Sequence, residues 1–266
     1  AGAGPDLVIW PETATPGYLI RNKWLLGEIS TLVKDTDTPY LMGSSARRKA
    51  GRGSEREYLL RNSAFLLDST GHIVASYDKM RLLPFSEYLP AKDIIAWPKW
   101  LVPVNGEYRA GTVATVFELQ QTRFGVVICW ENLFPELFRK FAVQGAEFMV
   151  NLTNEAWFER TWASRQLLAM SAFRAAENGV SLLRSANTGI STIIDPFGRI
   201  GPRIMDAQGD DLMVAGTLLV DIYPALPATV YRRYGDWPVR IFLLAGIGII
   251  GIACIRRRSE LRINQG

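Results

Sequence analysis

The stretch FGVVICWENLFPE, Phe124–Glu136, carries an apolar run into a cysteine and then into an acidic turn that holds a proline. Phe124–Ile128 has the continuous apolar character of a buried strand. Pro135–Gln144 is predicted as an amphipathic helix closed by Gly145, and Ala146–Leu152 as the strand that follows. A strand, a helix and a strand in succession place the segment in a layered α/β fold. The stretch also poses a chemical question. Cys129 is either a core thiol that ends a strand or a nucleophile displayed there.

The same grammar continues on both sides. Asp6–Trp10 is a short apolar run stopped by Pro11, and Tyr18–Lys34 has helical spacing of Trp24, Leu25, Ile29, Leu32 and Val33. Pro39–Ser44 reads as a buried strand. Tyr58–Asp68 and Ile73–Tyr77 pair as a hairpin around Gly71-His72, and Val113–Leu119 pairs with Arg123–Cys129 around Gln120-Gln121-Thr122. Trp162–Asn178 is a second long helix closed by Gly179, followed by a strand at Ser181–Ser185. Ile190–Asp195 and Arg199-Ile200 form a further hairpin, and Gly216–Ile222 reads as a late strand. Strand pairs with interposed helices imply two sheets, not an all-parallel barrel.

Composition excludes several classes of function. The 266 residues carry a net charge of +4, gathered in clusters such as Arg47-Arg48-Lys49 and Arg256-Arg257-Arg258. No basic stripe with interleaved aromatics is present, so nucleic acid is not an expected partner. Arg47–Arg56 lies in a Gly/Ser-rich stretch and reads as a solvated loop. The chain has two cysteines, Cys129 and Cys254, and one histidine, His72. A zinc site needs about four Cys, His or carboxylate ligands at characteristic spacings, which are absent, so no metal and no cofactor is expected. His72 reads as a turn residue, so any chemistry here is expected to proceed without histidine.

The C-terminus, WPVRIFLLAGIGIIGIACIRRRSELRINQG, has a different character. Ile241–Ile255 contains no charge, Trp237 stands at one border and three arginines at the other. A bilayer takes roughly 17–25 helical residues, with tryptophan at the interface and basic residues beyond it. A transmembrane helix is therefore expected over 237–256, with 257–266 a cytoplasmic tail and the domain at 1–236 on the other side.

Three stretches place a reactive residue directly after an apolar strand. They are Glu12 in DLVIWPETATP, Lys79 in IVASYDKMRLLPFSEYLP with Glu87 eight residues on, and Cys129 with Glu131 two residues on. Strand ends on one side of a sheet are where α/β enzymes assemble their sites. A carboxylate can take a thiol's proton, and an ammonium can stabilise a thiolate or a developing oxyanion.

This constellation resembles the carbon–nitrogen hydrolase (nitrilase) superfamily, which uses a Glu–Lys–Cys triad on an αββα sandwich. Within it, PDLVIWPETATP, YDKMRLLPFSEYLP, VVICWENLFPE, NLTNEAWF, FRAAENGVSLLRSANTGIS and RRYGDWP occur in the order of the apolipoprotein N-acyltransferase family. The resemblance implies Glu12 as general base, Lys79 as oxyanion stabiliser and Cys129 as nucleophile. Glu87 would orient the lysine or the attacking amine, the backbone N–H of Trp130 would help hold the oxyanion, and Glu131 would be a supporting acid. The implied reaction moves an acyl chain from a membrane phospholipid to Cys129 as a thioester. It then passes to the N-terminal amine of a diacylglyceryl-cysteine lipoprotein, in a bacterial inner membrane with the catalytic domain on the periplasmic side.

Two positions depart from the family pattern: Trp130 stands where a tyrosine is usual, and Leu167 where a histidine is common. The family's domain also begins with a strand and helix ahead of PDLVIWPE and follows several transmembrane helices, so an N-terminally truncated sandwich is expected. Ile94–Pro103, with Trp97 and Trp100, either faces the membrane or packs over the core. Trp157-Phe158 poses the same alternative, with at least one ring expected in the core. Two other readings are an amidase acting on a small soluble amide, and a membrane-anchored binding protein on an inactive scaffold.

Overall fold

The computed structural model describes residues 4–49, 58–98, 100 and 107–263, without the side chains of Lys49 and of 254–263. The expected loop residues 50–57, residues 99 and 101–103 of the tryptophan-rich stretch, and 264–266 of the tail lie outside the described residues.

Two sheets form the body. The first has the order β1 (Val8–Ile9), β2 (Tyr40–Lys49), β3 (Tyr58–Leu67) and β4 (Ile73–Asp78), with β1 parallel to β2 and the rest antiparallel. The second contains β5 (Val116–Leu119), β6 (Thr122–Ile128), β7 (Phe148–Asn154), β8 (Ser181–Asn187), β9 (Thr192–Ile194) and β10 (Ile200–Arg203). Its order is β10-β9-β8-β7-β6-β5, with β6, β7 and β8 parallel at the centre. Parallel neighbours need crossovers. Helix α1 (Lys23–Thr36) supplies the one between β1 and β2, α2 (Pro135–Val143) that between β6 and β7, and α3 (Ala163–Asn178) that between β7 and β8.

Each helix carries its own punctuation. The Asn22 side chain accepts from Leu25 N to cap α1, and Pro135 opens α2. Gly179, in the left-handed region at φ +66°, ends α3 and returns its N–H to Ala175 O at 2.8 Å.

Side-chain alternation then sorts the layers. Met42, Phe65 and Leu67 face Ile29 and Val33 of α1, whereas Leu41, Ala64, Leu66 and Tyr77 turn toward the second sheet. On that sheet Phe117, Phe124 and Phe148 stack across three strands, with centroids 5.2 and 5.0 Å apart and rings nearly parallel. Phe138, Phe141, Leu168 and Ala175 of α2 and α3 join the same core cluster. The result is helix, sheet, sheet, helix: two sheets as the strand and helix order predicts, in the sandwich that the family resemblance implies.

Three expectations change. The cluster Arg47-Arg48-Lys49 belongs to β2 and not to a loop, because β3 supplies a full ladder and Asp78 neutralises Arg48 at 3.0 Å. Gly216–Ile222 is not a strand. Its apolar residues permit an extended chain, but among the described residues no ladder partner lies beside it, and Leu219 and Ile222 remain exposed. At the C-terminus, α4 (Val230–Tyr234) is followed by α5 (Trp237–Ile263), a helix over the segment expected to cross a bilayer. Phe242, Leu243, Leu244, Ile249 and Ile250 on it are exposed, yet among the described residues no helix is long and apolar enough to cross a membrane. Arg139 of α2 holds α4 in place by donating to the carbonyls of Tyr231, Arg232 and Arg233, each at 2.9 Å.

One glycine of the first sheet sets the position of the segment after β1. A Cβ on Gly43 would lie 2.6 Å from Glu12 Cα and 2.7 Å from Pro11 O, and Gly43 also exchanges backbone hydrogen bonds with Pro11 and Ala14. Gly43→Ala is therefore expected to cost about 1–3 kcal/mol by overpacking. The loss is to be read from urea denaturation. An unchanged midpoint would show that the Glu12 segment yields without strain.

Candidate active site

Glu12, Lys79 and Cys129 each follow a strand, β1, β4 and β6 respectively, and the structure brings the three strand ends together. Lys79 is 2% exposed, and its Nζ lies 3.1 Å from Glu87 Oε1 and 3.5 Å from Glu12 Oε1. Both carboxylates share a second donor, because Asn62 Nδ2 reaches Glu12 Oε1 at 2.7 Å and Glu87 Oε1 at 2.8 Å. Their remaining oxygens accept backbone N–H groups, Glu12 Oε2 from Asn154 at 2.8 Å and Glu87 Oε2 from Leu83 at 2.7 Å. The bond from Asn154, at the end of β7, crosses from one sheet to the other. Glu12 is thereby fixed against both halves of the sandwich.

Cys129 adopts φ +57°, a left-handed conformation uncommon for a residue with a side chain, and begins the 3-10 turn Cys129–Leu133. Its carbonyl accepts from Asn151 Nδ2 at 3.1 Å. The side chain is almost closed off from solvent. Burial pushes its thiol up to about 12, Glu12 adds to the rise, and Lys79 and a hydrogen bond from Thr153 oppose it. Burial pulls the Lys79 ammonium down, but its acidic neighbours, Glu12 foremost and Glu87 and Glu131 after it, outweigh that and hold it above the usual lysine value. The resting pair is thus ammonium and thiol. With a thiol near 12, only about one molecule in 10⁵ is thiolate at neutral pH, so attack needs a proton acceptor in the transition state. Glu12 is the carboxylate whose charge weighs most on the thiol.

Glu131 sits apart from the lysine head. It is fully buried and accepts from Tyr77 OH at 2.9 Å, Met80 N at 2.7 Å, Arg81 N at 2.9 Å and Ile128 N at 2.8 Å. These bonds tie the segment after Lys79 to the turn that carries Cys129. Trp130 reinforces the same junction, with its indole N–H on Arg81 O at 2.6 Å and its ring edge-on to Phe134 at 5.0 Å. The backbone N–H of Trp130 belongs to the first turn of a 3-10 helix, where such groups have no partner within the helix.

Beside this junction lies a cavity of about 560 Å³ bounded by Met80, Arg81, Tyr88, Tyr108, Trp130 and Phe134. Trp100 and Trp157 are exposed, whereas Phe158 is half-buried and Trp97 donates to Pro90 O at 2.7 Å and packs edge-on to Phe85. Leu167 is buried in α3, and its carbonyl accepts from Asn132 Nδ2 at 3.2 Å. His72 is exposed in its turn, bonded to Thr70.

Sequence reasoning passed over Asn62, Tyr77, Asn151, Thr153 and Asn154. Their signal was a polar side chain inside an apolar strand, as in RNSAF and MVNLTN.

The buried Glu131 carboxyl predicts a pH effect on stability. Burial raises it to about 7 against the backbone hydrogen bonds that lower it. A folded-state value above the unfolded one contributes stability that is present below about 4.5 and is lost as pH rises through about 7. Glu131→Gln is expected to be less stable overall, because it turns a donor toward the N–H groups it replaces an acceptor for, and to lack this fall between pH 4.5 and 7.5. Unfolding free energies at three pH values across that window check it; an equal slope in parent and variant refutes it.

Comparison with known proteins agrees with this architecture. The model of the family described as carbon–nitrogen hydrolase matches residues 1–225. The chain is 36% identical over 261 residues to an apolipoprotein N-acyltransferase of Geobacter metallireducens, covering 97% of this chain and 47% of that protein. It is 34% identical over 262 residues to one of Bradyrhizobium diazoefficiens, covering 96% of this chain and 46% of that protein. The chain thus spans about half the length of these relatives. Among solved structures it is similar to an amidase from Nesterenkonia sp., with a TM-score of 0.54 at 19% identity over 76% of this chain and 73% of that one. A variant of that amidase with the acetamide moiety of fluoroacetamide added covalently at its active-site cysteine gives a TM-score of 0.53 at 18% identity, over 75% and 73% of the two chains. That likeness is one of fold. With two sheets, strand-end acid, base and thiol, and a family match over most of its length, this chain belongs to the carbon–nitrogen hydrolase family.

Proposed function

We propose that this chain carries the catalytic domain of a phospholipid:apolipoprotein N-acyltransferase. The observation that carries the reading is a buried carboxylate, ammonium and thiol at three converging strand ends, in a chain 36% identical to a relative of that name. Cys129 is the nucleophile, Glu12 the general base and Lys79 the oxyanion stabiliser, with Glu87 fixing the lysine and Trp130 N–H as a second oxyanion donor. Glu131 is a positioning residue that joins the turn to the lysine segment.

The two half-reactions balance through Glu12. As Cys129 Sγ attacks an ester carbonyl of a phospholipid, its proton passes to Glu12 and the carbonyl oxygen gains charge beside Lys79 and Trp130 N–H. Collapse breaks the ester bond, and the departing lysophospholipid oxygen takes the proton from Glu12. The N-terminal amine of a diacylglyceryl-cysteine lipoprotein then attacks the thioester and gives its proton to Glu12. The C–S bond breaks, the proton returns to sulfur, and an amide has formed.

The membrane part of the reading rests on the exposed apolar face of α5, with Trp237 near its start. Residues 237–256 are assigned to the bilayer and 257–266 to the cytoplasm, with the catalytic domain, 1–236, on the periplasmic side of the inner membrane. The relatives' names support a bacterial membrane enzyme in general terms. An amidase reading has one observation in its favour, the fold likeness to the Nesterenkonia enzyme. Hydrolysis would replace the amine by water on the same three residues.

Intact mass spectrometry after incubation with phospholipid vesicles tests both. The protein is expected to gain one fatty acyl group, labile to hydroxylamine, and Cys129→Ala to gain none. Glu12→Gln should form the adduct about 10²- to 10⁴-fold more slowly, the usual range for loss of a general base. Absence of the adduct on folded protein, together with turnover of small amides, selects the amidase.

A further inference from the structure

Beneath Cys129, between the second sheet and α3, lies a polar cluster that the three reacting residues do not account for. The register places Val127, Asn151 and Arg184 in one row across β6, β7 and β8. Arg184 and Glu155 form an ion pair whose two side chains are both fully buried. Arg184 Nη1 also donates to Asn151 Oδ1 at 2.9 Å and to Ser171 Oγ of α3 at 2.8 Å. Asn151 turns its amide to Val127 O at 3.2 Å and to Cys129 O at 3.1 Å. On the other arm, the Thr153 hydroxyl donates to Glu155 Oε1 at 3.5 Å.

We propose that the Glu155–Arg184 pair is a positioning device for the nucleophile, holding the Cys129 carbonyl through Asn151. The carbonyl bond secures the left-handed backbone that Cys129 does not adopt unaided. Stability alone explains the pair poorly, because a buried ion pair can often be exchanged for apolar side chains of similar size at no loss. Electrostatics agree with the placement. Burial lowers the Arg184 guanidinium, and Glu155 and then Cys129 push it back, so the nucleophile's charge is felt at the pair.

The proposal rests on Cys129 as nucleophile, and its test has a readout that needs no acyl substrate. In the double variant Arg184→Met/Glu155→Leu the charges leave together, so the fold is expected to persist. Alkylation of Cys129 by iodoacetamide at pH 8, followed by peptide mass spectrometry, is expected to slow about tenfold as the guanidinium that favours the thiolate is lost. Acyl transfer is expected to lose about tenfold to a hundredfold in kcat with KM within about twofold. A pair that merely holds the structure would, once removed, loosen the turn and speed alkylation. Alkylation as fast as in the parent, or faster, overturns the proposal. If the double variant does not fold, Asn151→Ala decides, since it keeps both charges of the pair and cuts the link from Arg184 to the Cys129 carbonyl. Alkylation several-fold slower supports the device, and an unchanged rate overturns it. Should the parent show no acyl transfer at all, the alkylation result still judges the positioning, and it is the acyltransferase reading that falls.

Discussion

The structure depends on an ammonium kept out of water. Lys79 is 2% exposed, and placing a charge there costs several kcal/mol before any partner is counted. Glu12 and Glu87 offset that cost, but they are buried as well and must be satisfied in turn. Asn62 bridges them, and the N–H groups of Asn154 and Leu83 take their outer oxygens. Two charges of one sign and one of the other, closed in by neutral donors, form a unit that cannot lose a member without stranding the rest. The same unit joins the sheets, since Glu12 belongs to the first and Asn154 to the second. Packing of the aromatic ladder sets the distance between the layers, and this cluster sets how their ends meet.

That constraint shapes the neighbouring turn. A thiol beside a carboxylate and away from water stays protonated, and the ammonium that could ionise it is already engaged. Reactivity at such a thiol comes from position rather than from a standing thiolate. The backbone around Cys129 is accordingly over-determined. Glu131 gathers Ile128, Met80 and Arg81 on one side, and Asn151 grips the Cys129 carbonyl on the other. A left-handed cysteine is tolerable only inside such a frame.

How much of this the sequence disclosed follows from the range of each interaction. Hairpins and helices were legible because their signals are local: Gly71 in the β3–β4 turn, Gly179 after α3, Pro135 at the start of α2. Glu12, Lys79 and Cys129 were legible because each stands directly after an apolar strand. Asn62 was not, since its partner Glu12 is fifty positions away and meets it only through the register of β2 and β3. Arg184 and Asn151 were hidden for the same reason, in a row that exists only once β6, β7 and β8 are aligned. Gly216–Ile222 shows the converse. Its local pattern suits a strand, but strand structure belongs to a pair, and among the described residues it has no partner.

The fold likeness to an amidase and the closer likeness to acyltransferases meet at one chemical step. Both a small amide and a phospholipid ester present a carbonyl to a thiol, and the oxyanion that forms has the same charge and nearly the same size. Nothing in the Glu12–Lys79–Cys129 cluster needs to differ between them. Selection must then lie in what surrounds it. The cavity beside Trp130 has aromatic walls, Trp100 and Trp157 are exposed, and α5 offers an apolar face to its surroundings. For a soluble amide such surfaces would be a standing cost in exposed apolar area. Apolar surface of this kind is characteristic of an interaction site, so the features that could tell one carbonyl substrate from another lie around the cluster and not within it.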